Sequence, residues 1–140
     1  MNPFSVVNAL VTNLSAASAV GSGRVGKDYS IIETSQYPVS VVGWLHTRSL
    51  PATFGGGGRD KYWTFVVETF IKDTGSSSAI MDYFLTMSNS IMDSIENDPT
   101  LQGTVDQINE IRASRELGEA FLTGGATLYP FVVELDVYEL

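Results

Sequence analysis

From Lys61 to Lys72 the chain alternates, with Trp63, Phe65, Val67 and Ile71 on one side of an extended backbone and Tyr62, Thr64, Glu68 and Lys72 on the other. Successive side chains of a strand point to opposite faces. A period of two therefore marks a strand buried on one face, which needs sheet neighbours and a second layer over its apolar side. The end of the chain obeys the same rule: between Ala126 and Glu139, residues Tyr129, Phe131, Val133, Leu135 and Val137 point inward while Glu134, Asp136 and Tyr138 point outward. Pro130 lacks a ladder donor and argues for an edge position or a bulge near the start of that strand.

The covering layer is also visible. Ile80, Phe84, Met87, Ile91 and Ile95 recur at steps of three and four, an apolar stripe on a long helix whose Asp82, Thr86, Asn89, Asp93 and Glu96 face water. Met81, Met87 and Met92 on the same helix read as core gap-fillers. Asp98-Pro99 stops the helix, because a residue before proline is pushed out of the helical region. Asn2-Pro3 reads as a cap and first turn, and Phe4, Val7, Leu10, Val11 and Leu14 then give a first helix ending near Ser18. Tyr37 to Leu45, rich in Val and aromatic residues, reads as a strand, and Gly103 to Arg115 as another extended segment. The expected fold is α+β: two helices on one face of a four-stranded, mainly antiparallel or mixed sheet, in the order α-β-β-α-β-β. With 140 residues and 44% hydrophobic content, residues 1–140 are expected to form a single domain.

Charge and composition exclude several functions. Eight basic residues face sixteen acidic ones for a net charge of −8, which leaves no broad cationic surface for gripping phosphates. Residues 1–75 carry +1 and residues 76–140 carry −9, so the acidity belongs to the C-terminal half. The chain has no cysteine, which removes disulfides, thiolate zinc sites and thiol nucleophiles and fits a reducing cytosol. No apolar run reaches the length of a membrane span, and the N-terminus lacks the pattern of a signal peptide, so a soluble chain that is not secreted is expected.

Candidate chemistry is sparse. The one histidine, His46, lies beside Trp44 and Leu45 without a recognisable nucleophile setting. Asp93, Glu96 and Asp98 lack the spacing of a calcium loop. Neither a catalytic residue, a metal nor a cofactor is expected. Gly55, Gly56, Gly57 and Gly58, followed by Arg59, Asp60 and Lys61, do not open a helix as a phosphate-binding loop must. Trp63 and Phe65 belong to the inward face with Val67, so base stacking by these aromatics is disfavoured. His46 to Asp60 reads as a long glycine-rich loop of fifteen residues. Trp44, Leu50 and Phe54 are costly to leave in solvent unless a partner covers them, so the candidate partner interface is Trp44, His46, Leu50, Phe54, Gly55, Gly56, Gly57, Gly58 and Arg59.

The run from Tyr62 to Asp73, the polar turn and long helix after it, the segment Asp98-Pro99-Thr100-Leu101-Gln102-Gly103-Thr104-Val105 and the closing strand Leu128 to Leu140 together resemble the tail terminator proteins of long-tailed bacteriophages. The resemblance spans about residues 60 to 140, and the quadruple glycine is a departure from the family's pattern. It implies a non-enzymatic virion protein, assembled in the host cytoplasm, that forms a hexameric ring in the neck. Such a ring caps the tail tube protein, stops its polymerisation and joins the tail to the head-tail connector or stopper, while DNA passes through the lumen without specific binding. Acids of the C-terminal half are expected to line that lumen. Within phage assembly, a head-completion or neck adaptor protein binding the portal stays open. From other classes, so do a small-ligand α+β module and an acid/base enzyme using His46.

Overall fold

In the computed structural model the Asn2 side chain accepts a hydrogen bond from the Phe4 N–H at 3.0 Å and Pro3 occupies the first turn, which starts helix α1, Pro3–Ala16. The structure describes residues 1–17, 24–33, 36–51, 58–72, 77–115, 121–123 and 126–139. A short strand β1 (Val25–Gly26) and a 3-10 helix (Tyr29–Glu33) follow α1. After them come β2 (Val39–Pro51), β3 (Arg59–Lys72), helix α2 (Ser77–Glu96), β4 (Ile108–Arg115), β5 (Phe121–Thr123) and β6 (Ala126–Glu139).

The mixed α+β class and its two helices stand, but the strand count and order differ from expectation. Among the described residues the sheet has six strands in the spatial order β1-β2-β3-β6-β4, with β5 beside β6, and the chain order is α-β-β-β-α-β-β-β. The added strands, β1 and β5, are two and three residues long, too short for periodicity to register. β1 runs parallel to β2, and every other pairing is antiparallel.

Helices α1 and α2 lie over the same sheet face. Ile80, Phe84, Met87, Ile91 and Ile95 of α2 join Val6, Leu10 and Leu14 of α1 and Phe65, Val67, Phe131, Val133 and Leu135 of the sheet in one core. At roughly 1.5–3 kcal/mol per buried apolar side chain, the α2 stripe alone contributes on the order of 10 kcal/mol gross. Two expected core residues are outside it. Phe4 is 79% exposed, because at about 100° per residue it lies well off the stripe through Val6, Ala9, Leu10 and Leu14. Met81 is 40% exposed, one position off the α2 stripe, whereas Met87 is buried. A smaller cluster of Ile32, Val39, Val41, Phe70 and Leu128 occupies the opposite face at one end, under the 3-10 helix.

β6 is an interior strand, not an edge. Pro130 opposes Phe70 of β3, and on its other side it falls between Leu128, the last partner facing β5, and Phe131, the first facing β4, so its missing donor is at a break in the flanking ladder.

The segment after α2 is a knot of turns instead of the start of a strand. Leu101, Gln102 and Gly103 have φ of 46°, 59° and 77°. The Asp98 carboxylate accepts from the Gln102 N–H at 2.9 Å and from Asn13 Nδ2 of α1 at 2.7 Å, and the Gln102 amide donates to Asn13 Oδ1 at 2.8 Å. A branched apolar residue in the left-handed region costs about 1–2 kcal/mol. Leu101 offsets this by complete burial in the main core.

Candidate functional site

The expected loop from His46 to Asp60 is largely a β-hairpin arm. β2 continues to Pro51 and β3 begins at Arg59, with Arg48 opposite Tyr62, Leu50 opposite Asp60 and Pro51 opposite Arg59. Outside the central sheet neither face of this ladder meets a core, so the sequence from His46 to Pro51 has no apolar period to betray the strand. The two arms of the hairpin present several of the candidate residues. Trp44 is 57% exposed with its indole N–H donating to Thr47 Oγ1 at 2.7 Å, and Leu45 and Leu50 are 45% and 43% exposed. His46 is exposed opposite Thr64, and Gly58 is exposed at the foot of β3. The Arg59 guanidinium donates to Ser49 Oγ and to the Ser49 carbonyl, both at 2.9 Å, and so braces the hairpin across its strands. Phe54, Gly55, Gly56 and Gly57 lie outside the described residues. The ladder slips between Trp44 and His46, leaving Leu45 as an extra residue, a β-bulge of the kind that re-aims side chains at sheet edges.

The opposite face of the sheet, beyond the 3-10 helix, holds a second feature, which the sequence shows only in outline. Arg112 on β4 donates to Asp136 at 2.6 Å, to Glu134 at 2.7 Å and to Glu110 at 3.1 Å, and Thr64 Oγ1 donates to the other Asp136 oxygen at 2.6 Å. Surrounded by carboxylates, the guanidinium is pushed up from its already high ordinary pKa, chiefly by its hydrogen bonds to Asp136 and then Glu134. For Asp136, burial works upward, but the hydrogen bonds from Arg112 and Thr64 outweigh it and hold the carboxyl below its ordinary value. Further along the same face the Tyr62 and Tyr138 rings stack at 5.0 Å, the Arg48 guanidinium lies 5.5 Å over Tyr62, and Tyr138 is pushed up by its hydrogen bond to Asp60. The alternation in β6 placed Glu134, Asp136 and Tyr138 together on the outward face. Their pairing with Arg112 depends on the β4 register, which the sequence does not display.

The helix-bearing face has its own exposed apolar patch beside β4. Met81 and Leu85 of α2 are 40% and 57% exposed and border a hollow of about 150 Å³ over Phe84, Ala113 and Phe131. Trp63 and Phe65 point to this helix-bearing side, as expected, with rings 6.4 Å apart and nearly parallel, and the Trp63 indole N–H donates to Glu139 at 2.8 Å. Among the described residues no cluster of three potential metal ligands occurs, and no helix is long and apolar enough to cross a membrane. No protein-family model matches the chain, and no curated protein matches it.

Proposed function

We propose that this chain is a bacteriophage tail terminator: a virion structural protein without catalytic activity that assembles as a hexameric ring on the last ring of tail tube protein, stops polymerisation and presents a joining surface to the head-tail connector. The observation that carries the reading is the construction of the sheet. The four long strands β2, β3, β6 and β4 alternate in direction across the sheet. Its two sides end in edges that are open among the described residues, because β1 covers β2 only at Ser40 and Val41 and no strand lies outside β4. A second copy, related by rotation about an axis along the strands, brings its β2 beside β4 of the first. Since the number of long strands is even, the new pair is antiparallel like every other long pair. Repetition of that head-to-tail contact closes a ring and removes the exposed edges.

Helices α1 and α2 lie on one sheet face, which suits the wider outside of such a ring and leaves the opposite face, covered at one end by the 3-10 helix, for the passage. That face carries Asp60, Glu68, Glu110, Glu134 and Asp136 against Arg48, Lys72 and Arg112, a modest negative surplus in which Arg112 is already engaged by carboxylates. A wall of this charge lets DNA pass without holding it. Asp82, Asp93 and Glu96 belong to α2 and Asp98 and Asp106 to the segment after it, so only part of the acidity of the C-terminal half belongs to this wall. Negative-stain imaging and native mass measurement, on the protein alone and with tail tubes, test the reading. A six-fold ring in solution or at the tube end is expected; a monomer under both conditions overturns it.

A further inference from the structure

We infer that the ring contact has a defined register, in which Trp44 of one copy seats over Ala113 of its neighbour, in the hollow beside Met81 and Leu85. The inference rests on the head-to-tail ring and adds to it the contact that holds the ring together. Three observations carry it.

The first is the position of β1. Because β1 pairs with Ser40 and Val41, a neighbouring β4 can join the outer edge of β2 only from Val42 onward. Arg115, the last residue of β4, can therefore reach no further along β2 than opposite Val42, and at that limit the antiparallel count sets Ala113 opposite Trp44, ahead of the bulge at Leu45. The second is the face. Trp44 pairs with Phe65, and Ala113 pairs with Val133, both core residues on the helix-bearing side, so the two side chains emerge on the same face of the combined sheet. The third is fit. Trp44 is 57% exposed, and the hollow it would meet has about 150 Å³, roughly the space that accommodates one benzene ring. Ala113, exposed and small, leaves it open, and Met81 and Leu85 offer otherwise uncovered apolar walls. Charge favours the same partner. The hollow itself is bordered by Arg115, but the described arm carries Arg48, Arg59 and Lys61 against Asp60 and in this register runs toward the start of β4, where Glu96 and Glu110 flank Ile108 and Asn109.

The absence of native cysteine allows a clean test. Directly opposed residues of an antiparallel pair have Cα atoms about 4.5–5.5 Å apart, within disulfide range. Trp44→Cys and Ala113→Cys, made separately, mixed and oxidised, are expected to give a covalent dimer only in the mixture, and the double variant a ladder of linked subunits closing at the ring number. A ring that forms while this pair stays unlinked, or that links Trp44→Cys to itself, overturns the register and leaves the ring standing. Failure of the wild-type chain to form a ring, alone or on tubes, removes both. Trp44 fluorescence in a Trp63→Phe background gives an independent reading, with a blue shift on assembly expected and an unchanged spectrum contradicting the seat. Trp44→Ala is expected to weaken self-association by about tenfold or more, as loss of a central aromatic anchor does.

Discussion

Replacing Arg112 by methionine keeps an aliphatic stem and removes the charge that three carboxylates share. In the folded protein the guanidinium meets Asp136 at 2.6 Å and Glu134 at 2.7 Å, with these acids 24% and 29% exposed, and Glu110 at 3.1 Å, which is 60% exposed. A charge-assisted hydrogen bond in a sheltered site is worth about 1.5–3 kcal/mol, and an exposed ion pair about 0–1. Because Arg112 is itself 37% exposed, the two sheltered contacts are discounted to about 1 kcal/mol each and the Glu110 contact to almost nothing. Arg112→Met is therefore expected to lower stability by about 2 kcal/mol at neutral pH, roughly 6–8 °C in Tm for a domain of this size. The loss must depend on pH. Asp136 has a folded-state pKa held below its ordinary value, so its contribution is complete above the unfolded pKa and disappears as pH falls through the lower folded one. Wild type and variant should converge as the pH falls through the lowered folded-state pKa of Asp136. Urea unfolding at neutral pH and down through the acid range, with a high-salt series, measures this. A gap that stays constant with pH and salt would place the effect in packing of the side-chain stem and refute the electrostatic account of the sheet face opposite α1 and α2.

Leu101→Ala should cost about 2–5 kcal/mol, since a fully buried side chain leaves the main core, and denaturant midpoints at an unchanged slope would register it. Gly103→Ala should cost only about 1 kcal/mol: its φ of 77° disfavours a side chain, but nothing lies within 4 Å of the added Cβ. A loss of several kcal/mol in the same denaturation assay would contradict this. Phe4→Ser should leave fold stability within about 0.5 kcal/mol, whereas Leu10→Ala, six positions along α1 and fully buried, should lose about 2–5, and paired thermal melts separate the two. Glu139 accepts from the N-terminal amino group and from Trp63, and these hydrogen bonds lower its pKa, so Glu139→Gln should destabilise at neutral pH and cease to do so in acid.

Elements with one buried face were readable from the sequence because burial imposes a period. The α2 stripe from Ile80 to Ile95 and the inward residues of β3 and β6 recur in the structure, but the second face of these two strands is partly buried as well, at Thr64, Val66 and Phe70 of β3 and Leu128 and Val132 of β6, so Thr64, expected outward, is buried. Where burial is absent or two-sided, the period fails. The hairpin arm from His46 to Pro51 is solvated on both faces and reads as a loop, although its cross-strand partners Tyr62 and Lys61 belong to the alternating run of β3. The segment 103–107 reads as extended because its apolar spacing is compatible with a strand. Its local geometry is set by the left-handed run from Leu101 to Gly103, which the Asp98 and Thr100 side chains hold through the Gln102 and Gly103 N–H groups. Of the candidate interface, Trp44 and Leu50 were legible as apolar residues without a core. The receiving hollow was not, because Met81 and Leu85 lie beside Ala113 only after α2 packs on the sheet.

The central claim is that this chain ends a tube. The most direct measurement is the length distribution of tail tubes polymerised with increasing amounts of the protein, imaged by negative stain. The account predicts that elongation stops as protein is added and that each arrested end carries one six-fold ring. Tubes that lengthen unchanged, with bare ends at saturating protein, would contradict it.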